Sequence, residues 1–522
     1  MATITVKELR GLQRARTIEE VRRIFLDISS RYCLRPAPQS GVLTTLSAAC
    51  VLLGLATLCS VRAQTISTRI SVISTVPARV RIDAQLPNAT SALSFRNTYA
   101  GILGLGERIE AFEGFAAAGE PVQVQKLAPG EFRASQRLSR LRYEVNLEPP
   151  ARPAQMSHVS WLNAEQGLLM MADLLPERTD ANSFSSVVIN INVPKGWAVA
   201  SNVKQDGQEF LTADPETAVF LVGRELNEKR QPLGTTALSV VTSGQWPVSN
   251  NDLIKISTQI LQLYSRVTGF NLRNNVMLML IPFAGETGPD NWTAETRGNV
   301  VVLLLGKNAS RKRLLSRLGV VLSHEMFHLW VPNSLDFSGN YDWFFEGFTL
   351  YEALRTDLRL GFISFADYLD TIARVYDSYV SATDSRQFSL IEASERRWTT
   401  QSSLVYDKGM LVAFIYDLSL RRATNCSASL DDVYAELFRL PASGQRSANE
   451  TIIGVLTERE GLKSSARVYV ETATMINLEP ILSAYGIVIK EGASATTTTQ
   501  LSLARDLNKT QRTLLGCLGY RK

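Results

Sequence analysis

The chain has 522 residues, 45% hydrophobic and 20% charged, with 55 Lys/Arg against 50 Asp/Glu and a formal net charge of +5. That length exceeds what one hydrophobic core usually serves, so more than one domain is expected. Nine Lys/Arg and four acids lie up to Ala63 and hold the whole excess, while the remainder balances at 46 against 46; no clustered basic face for nucleic acid is indicated, and that class is set aside.

Residues 1–40 form a basic extension in which "TIEEVRRIFLDISS" reads as a short amphipathic helix. Thr17 and Glu20 make a capping box, and Val21, Ile24, Phe25 and Ile28 form the apolar stripe. Residues 41–61, "GVLTTLSAACVLLGLATLCSV", carry no charge. Val61 and Ala63 are small enough for the −3 and −1 positions of a cut before Gln64, so residues 41–63 read as a signal peptide. Left uncut, the same run is long enough for a signal anchor whose Arg-rich side stays cytoplasmic. An ordinary signal peptide would start near Leu34, yet no second Met occurs before Met156. Either reading exports the body of the chain to the periplasm or the cell exterior; a third, a buried helix of that body, does not. Cys33, Cys50 and Cys59 fall in or before this stretch, leaving Cys426 and Cys517, which spacing alone cannot pair. No Cys-x-x-Cys occurs, which argues against a thiolate zinc site.

From 64 to 235, short β-branched runs such as "LRYEVNLEP" and "TAVFLVG" are cut by Pro and Gly, as in a β-sandwich. Helical spacing then appears at Leu253, Ile256, Ile260, Leu263 and Val267, followed by two strands, "VMLMLI" and "NVVVLLL". The chain is mostly helical to about residue 440. Residues 441–522 mix helix with a short strand, "GIVI", and a Thr-rich linker, "ASATTTTQ". The expected class is thus α+β and multidomain: a β-sandwich-like domain at 64–235, a mostly helical domain with a small sheet at 236–440, and a small α/β part at 441–522.

The chemistry sits in "RKRLLSRLGVVLSHEMFHLW", a helix by its period. His324 and His328, four apart, lie one above the other on one face and are spaced to share a metal ion. Glu325, one position round, is placed to take a proton from a metal-bound water. A second helix, from about Asp342 to Leu360, offers Glu346 among Trp343, Phe344, Phe345 and Phe348. A carboxylate in such surroundings is costly unless a cation holds it, so Glu346 is the favoured third ligand. Glu352, on another side of that helix, reads as solvent-facing, and Asp336 in the intervening loop is the rival ligand. Two His and one carboxylate leave a fourth position open, the catalytic kind of Zn²⁺ site.

"SHEMFHLW", "WFFEGFTLY" and "VYDKGMLVAFIYDLSLR", in that order, resemble the glycyl aminopeptidase family of zinc metallopeptidases, gluzincins related to the alanyl aminopeptidases. The resemblance is clear from about Asn250 to Arg421 and fainter in "LRYEVNLEP" and "VPKGWAVASN". It implies a thermolysin-like catalytic domain at 236–440 and one Zn²⁺ per chain. Tyr406 of "YDKG" would stabilise the transition state. Glu295 of "WTAETRG", 29 residues before His324, would hold the substrate's free amine, although Thr293 and Ala294 replace the family's glycines. Taken alone, Tyr406 reads as a core residue and Glu295 as a solvated turn acid. Many members end in a PDZ module, and none is expected after "LLGCLGYRK". His158 matches nothing in the pattern and reads as structural. The expected function is a zinc peptidase, aminopeptidase-type, acting on peptides; the alternatives are a zinc endopeptidase and a non-catalytic binding protein.

Overall fold

In a computed structural model, residues 65–178, 186–382, 386–398, 402–441, 446–459, 462–490 and 498–521 are described. The amphipathic stretch at 17–28, the apolar run at 41–61 and most of the Thr-rich linker lie outside them. Among the described residues no helix is long and apolar enough to cross a membrane.

The N-terminal part is two sheets packed face to face. Thr65–Thr75 pairs antiparallel with Ala78–Ser94, which pairs in turn with Glu131–Asn146. A parallel partner, Ser186–Asn192, closes against Thr65–Thr75. The second sheet runs Ala198–Ser201, Val219–Gly223, Gln166–Met170, Trp161–Leu162. Ile66, Val80, Ile82, Leu141 and Tyr143 of the first sheet share a core with Leu162, Leu169, Phe220 and Val222 of the second. This is the sandwich that the alternating runs predict.

"VFLVG" does not alternate, and the reason is its position. One face of the second sheet looks into the sandwich. The other, through Leu168, Met170, Val219 and Leu221, packs on Met277, Met279, Ile281, Val300, Val302 and Leu304. A strand covered on both faces needs apolar residues at every position.

Those partners belong to a five-stranded sheet: Leu226–Leu233, Thr236–Ser243, Val276–Pro282, Val300–Leu305 and, at its edge, Trp292–Arg297. The sequence indicates only two of these strands, and the 235/236 boundary falls inside the first hairpin of this sheet. Its far face, with Leu278, Leu280, Val301 and Leu303, joins the helical core around Leu318, Leu322, Met326 and Phe327. Ile452, Leu478, Tyr485 and Leu515 enter that same core, so 441–522 completes the helical region rather than forming a separate unit. A Cys426–Cys517 disulfide, 91 residues apart in sequence, ties the two stretches together.

Candidate metal centre and active site

The helix Arg311–Phe327 begins at Ser310, whose side chain accepts from the Arg313 amide, and its Leu314, Leu318, Val321 and Leu322 face the core. His324 lies in its last turn and His328 at its C-cap. His328 Nδ1 lies 2.9 Å from the Val331 carbonyl, which can only accept, so that nitrogen carries a proton and in the neutral ring Nε2 has the lone pair. The two Nε2 atoms are 3.1 Å apart, and Glu346 Oε2 lies 3.4 Å from one and 3.6 Å from the other. Glu346 and His328 are buried. Ligand bonds of about 2.0–2.2 Å in a tetrahedron put donor atoms about 3.3 Å apart, so this spacing fits zinc. Asp336, the rival ligand, is exposed and outside this group; among the described residues His324, His328 and Glu346 are the set that converges.

Glu346 rides on a π-helical turn, Trp343–Phe348, that runs into the α-helix Thr349–Leu360. Single π turns inside helices recur at functional sites. The turn crosses the helix Ser402–Ala423 at two glycines: a β-carbon on Gly347 would lie 2.5 Å from Gly409 Cα, and one on Gly409 2.7 Å from the Trp343 carbonyl oxygen. The glycines of "FFEGF" and "YDKG" are therefore there for close approach, which brings Tyr406 beside Glu346. Burial, with the Glu346 charge adding, pushes the Tyr406 phenol well up, so it remains a proton donor.

Glu352 corrects an expectation. It is fully buried, not solvent-facing, and accepts from Arg355 Nη1 at 2.6 Å, while Arg355 also reaches Asp431 at 2.6 Å. The helix Leu430–Arg439, which carries Asp431 two residues past its Ser429 cap, supplies that partner. Burial lifts the Glu352 carboxyl to about 7 against the pull of Arg355.

Two residues at the site have no signal in the sequence. Arg397 is buried and donates through Nη2 to Glu346 Oε1 and to Tyr406 Oη, both at 2.6 Å, and through Nη1 to Asp342 at 3.3 Å. In "SERRWTT" it looks like one more surface arginine. Thr296, on the edge strand, puts its hydroxyl 2.8 Å from Glu325 Oε2 and 2.7 Å from the Glu325 carbonyl.

Glu295 is on the same edge strand and is buried, not a solvated turn acid. Its Oε1 accepts from Tyr99 Oη at 2.6 Å and from Arg297 Nη2 and Nε at 2.9 and 3.1 Å. Its Oε2 meets His158 Nδ1. Burial raises this carboxyl, but Arg297 and His158 outweigh that and hold it below the usual range. His158 is thus a wall of the site. All of these groups except Arg297 line one cavity of about 800 Å³, with His324, Glu325, His328, Glu346, Arg397 and Tyr406.

The sequence matches no protein-family model and no curated protein. Solved structures do match. An aminopeptidase N family protein from Idiomarina loihiensis superposes with a TM-score of 0.70 at 17% identity, over 81% of this chain and 79% of that one. An M1 zinc metallopeptidase from Deinococcus radiodurans gives 0.51 at 14%, over 80% and 95%. This chain is α+β and has the two-part fold of those proteins, a sheet-rich N-terminal region followed by a helical one.

Proposed function

We propose that this chain is a zinc-dependent peptidase. The observation that carries the reading is the meeting of two imidazole Nε2 atoms and one buried carboxylate oxygen at zinc-ligand spacing, inside a cavity that also holds Glu325 and Tyr406. His324, His328 and Glu346 would hold the ion. A bound zinc polarises a peptide carbonyl and lowers the pKa of a bound water towards about 7.

The chain's own groups do the rest. Glu325, kept in one orientation by Thr296, takes the water's proton and delivers it to the leaving amine. Tyr406, with Arg397 donating to its oxygen, has its own O–H proton free for the oxyanion. A binding protein that kept only the fold would have no use for Glu325 or Tyr406 in these places. Aminopeptidase-type action, which the motifs imply and the name of the Idiomarina neighbour carries, uses Glu295 to hold a free amine; an endopeptidase does not. Export is part of the same proposal. It rests on residues 41–63 and fits a Cys426–Cys517 disulfide, since such bonds persist in oxidising compartments.

The test is metal reconstitution. Purified chain stripped with a chelator should regain one zinc and peptide hydrolysis together. Full hydrolysis by the stripped chain would end the proposal.

A further inference from the structure

An ammonium subsite needs an acid with unspent charge facing the cavity. Three acids line this one: Glu295, Glu325 and Glu346. Glu346 is a candidate ligand and Glu325 the proton carrier, which leaves Glu295. Arg297 lies two residues on along the strand, on the same face, and forms a buried ion pair with it. Tyr99 adds a third donor on Oε1 and His158 one on Oε2, so both carboxylate oxygens are already engaged. A second cation brought here would meet Arg297 as well as Glu295, and the repulsion of one largely cancels the attraction of the other.

Glu295 has other work. Tyr99 belongs to a hairpin, Thr98–Tyr99 with Ile102–Leu103, whose two turn residues Ala100 and Gly101 have φ of 48° and 74°. The hairpin overhangs the cavity and reaches Trp398 across it: a β-carbon on Gly101 would sit 3.8 Å from the Trp398 ring. Arg297 stacks under the Tyr99 ring at 4.5 Å. The Glu295 cluster therefore anchors the N-terminal domain's hairpin over the site. Leu103 and Trp398 on the rim are 76% and 57% exposed, an apolar margin with no charge for an N-terminus. At Asn333 the cavity adjoins a second one of about 550 Å³, lined by Asn299, Leu335 and Arg446 among others.

From these we infer that the site takes a peptide running through it, and that its substrates are peptides cut at internal bonds, with no requirement for a free N-terminal amine. This rests on the zinc-peptidase reading.

The experiment uses the full chain loaded with zinc and an octapeptide library made twice, free and N-acetylated, with products identified by mass spectrometry. Internal cleavage of the acetylated set is expected, with kcat/KM within about threefold of the free set or above it. Stepwise loss of single residues from the free set, with the acetylated set intact, would overturn the inference and leave the peptidase reading standing. No cleavage of either set by a chain carrying one zinc would overturn the peptidase reading and this inference with it. Glu295→Gln supplies a second readout. An anchoring role predicts a lower Tm, because Arg297 is left buried and unpaired, with the free-to-acetylated ratio unchanged. A selective rise in KM for free-amine peptides would contradict it.

Discussion

Replacing Arg397 with Gln should damage the site in two measurable ways. The guanidinium gives one bond to Oε1 of Glu346, the carboxylate proposed as a metal ligand, and one to the Tyr406 phenol, both 2.6 Å long, the first of them buried. Hydrogen bonds to charged groups contribute about 1.5–3 kcal/mol each. Losing the first leaves Glu346 Oε1 without its donor and frees the carboxylate to rotate. Loss of such outer partners typically weakens metal binding about 10–100-fold. Losing the second lets the phenol drift, and a displacement of about 1 Å at a reacting group can cost about 10²-fold. Arg397→Gln should therefore release zinc to a chelator about 10–100 times faster and lose about 10²-fold in kcat, with KM little changed. Arg397→Lys should recover only part of this, since an ammonium lacks the planar fork that reaches both oxygens. Wild-type zinc release and kcat in Arg397→Gln would refute the bridging role.

Three other outcomes follow from particular contacts. Thr296→Val keeps shape and removes the hydroxyl on Glu325, so kcat should fall by about tenfold with zinc content intact; an unchanged kcat would remove Thr296 from the mechanism. Gly409→Ala places a methyl 2.7 Å from the Trp343 carbonyl and forces the two helices apart, so a folded variant by circular dichroism should have lost about 10²-fold in kcat/KM. Asp357 is buried with Ser323 as its one side-chain donor among the described residues, and burial raises its carboxyl from 3.8 to about 7. Between those values the native state holds the proton that the unfolded chain has lost, so stability falls as pH rises through the window. Asp357→Asn should then stabilise the chain by up to about 4 kcal/mol at pH 8 and add little near pH 4, read from denaturant melts at both. Equal gains at both would mean the charge is not the cause.

What could be read in advance was local. The spacing of His324 and His328, the apolar company of Glu346 and the β runs of the first domain are properties of neighbouring residues, and each leaves a pattern in the chain. Tyr406 is legible only through a resemblance, because a crossing of two helices at Gly347 and Gly409 has no periodicity of its own. Arg397 and Thr296 leave no trace, since the carboxylates they hold, Glu346 and Glu325, lie 51 and 29 residues away. Glu352 is illegible for the opposite reason: its helix is packed between the earlier helix Arg311–Phe327 and the later helix Ser402–Ala423, and a periodicity argument assumes one wet face. "ETR" did hold a clue to Glu295, for an Arg two residues on in a strand shares its face.

The most direct test of the central claim compares the full chain with its Glu325→Gln variant, measuring zinc per chain and peptide hydrolysis on the same preparations. The account predicts about one zinc in both and hydrolysis in the wild type alone, because Glu325 moves a proton and does not hold the metal. Equal hydrolysis by the variant, or no zinc in either, would contradict it.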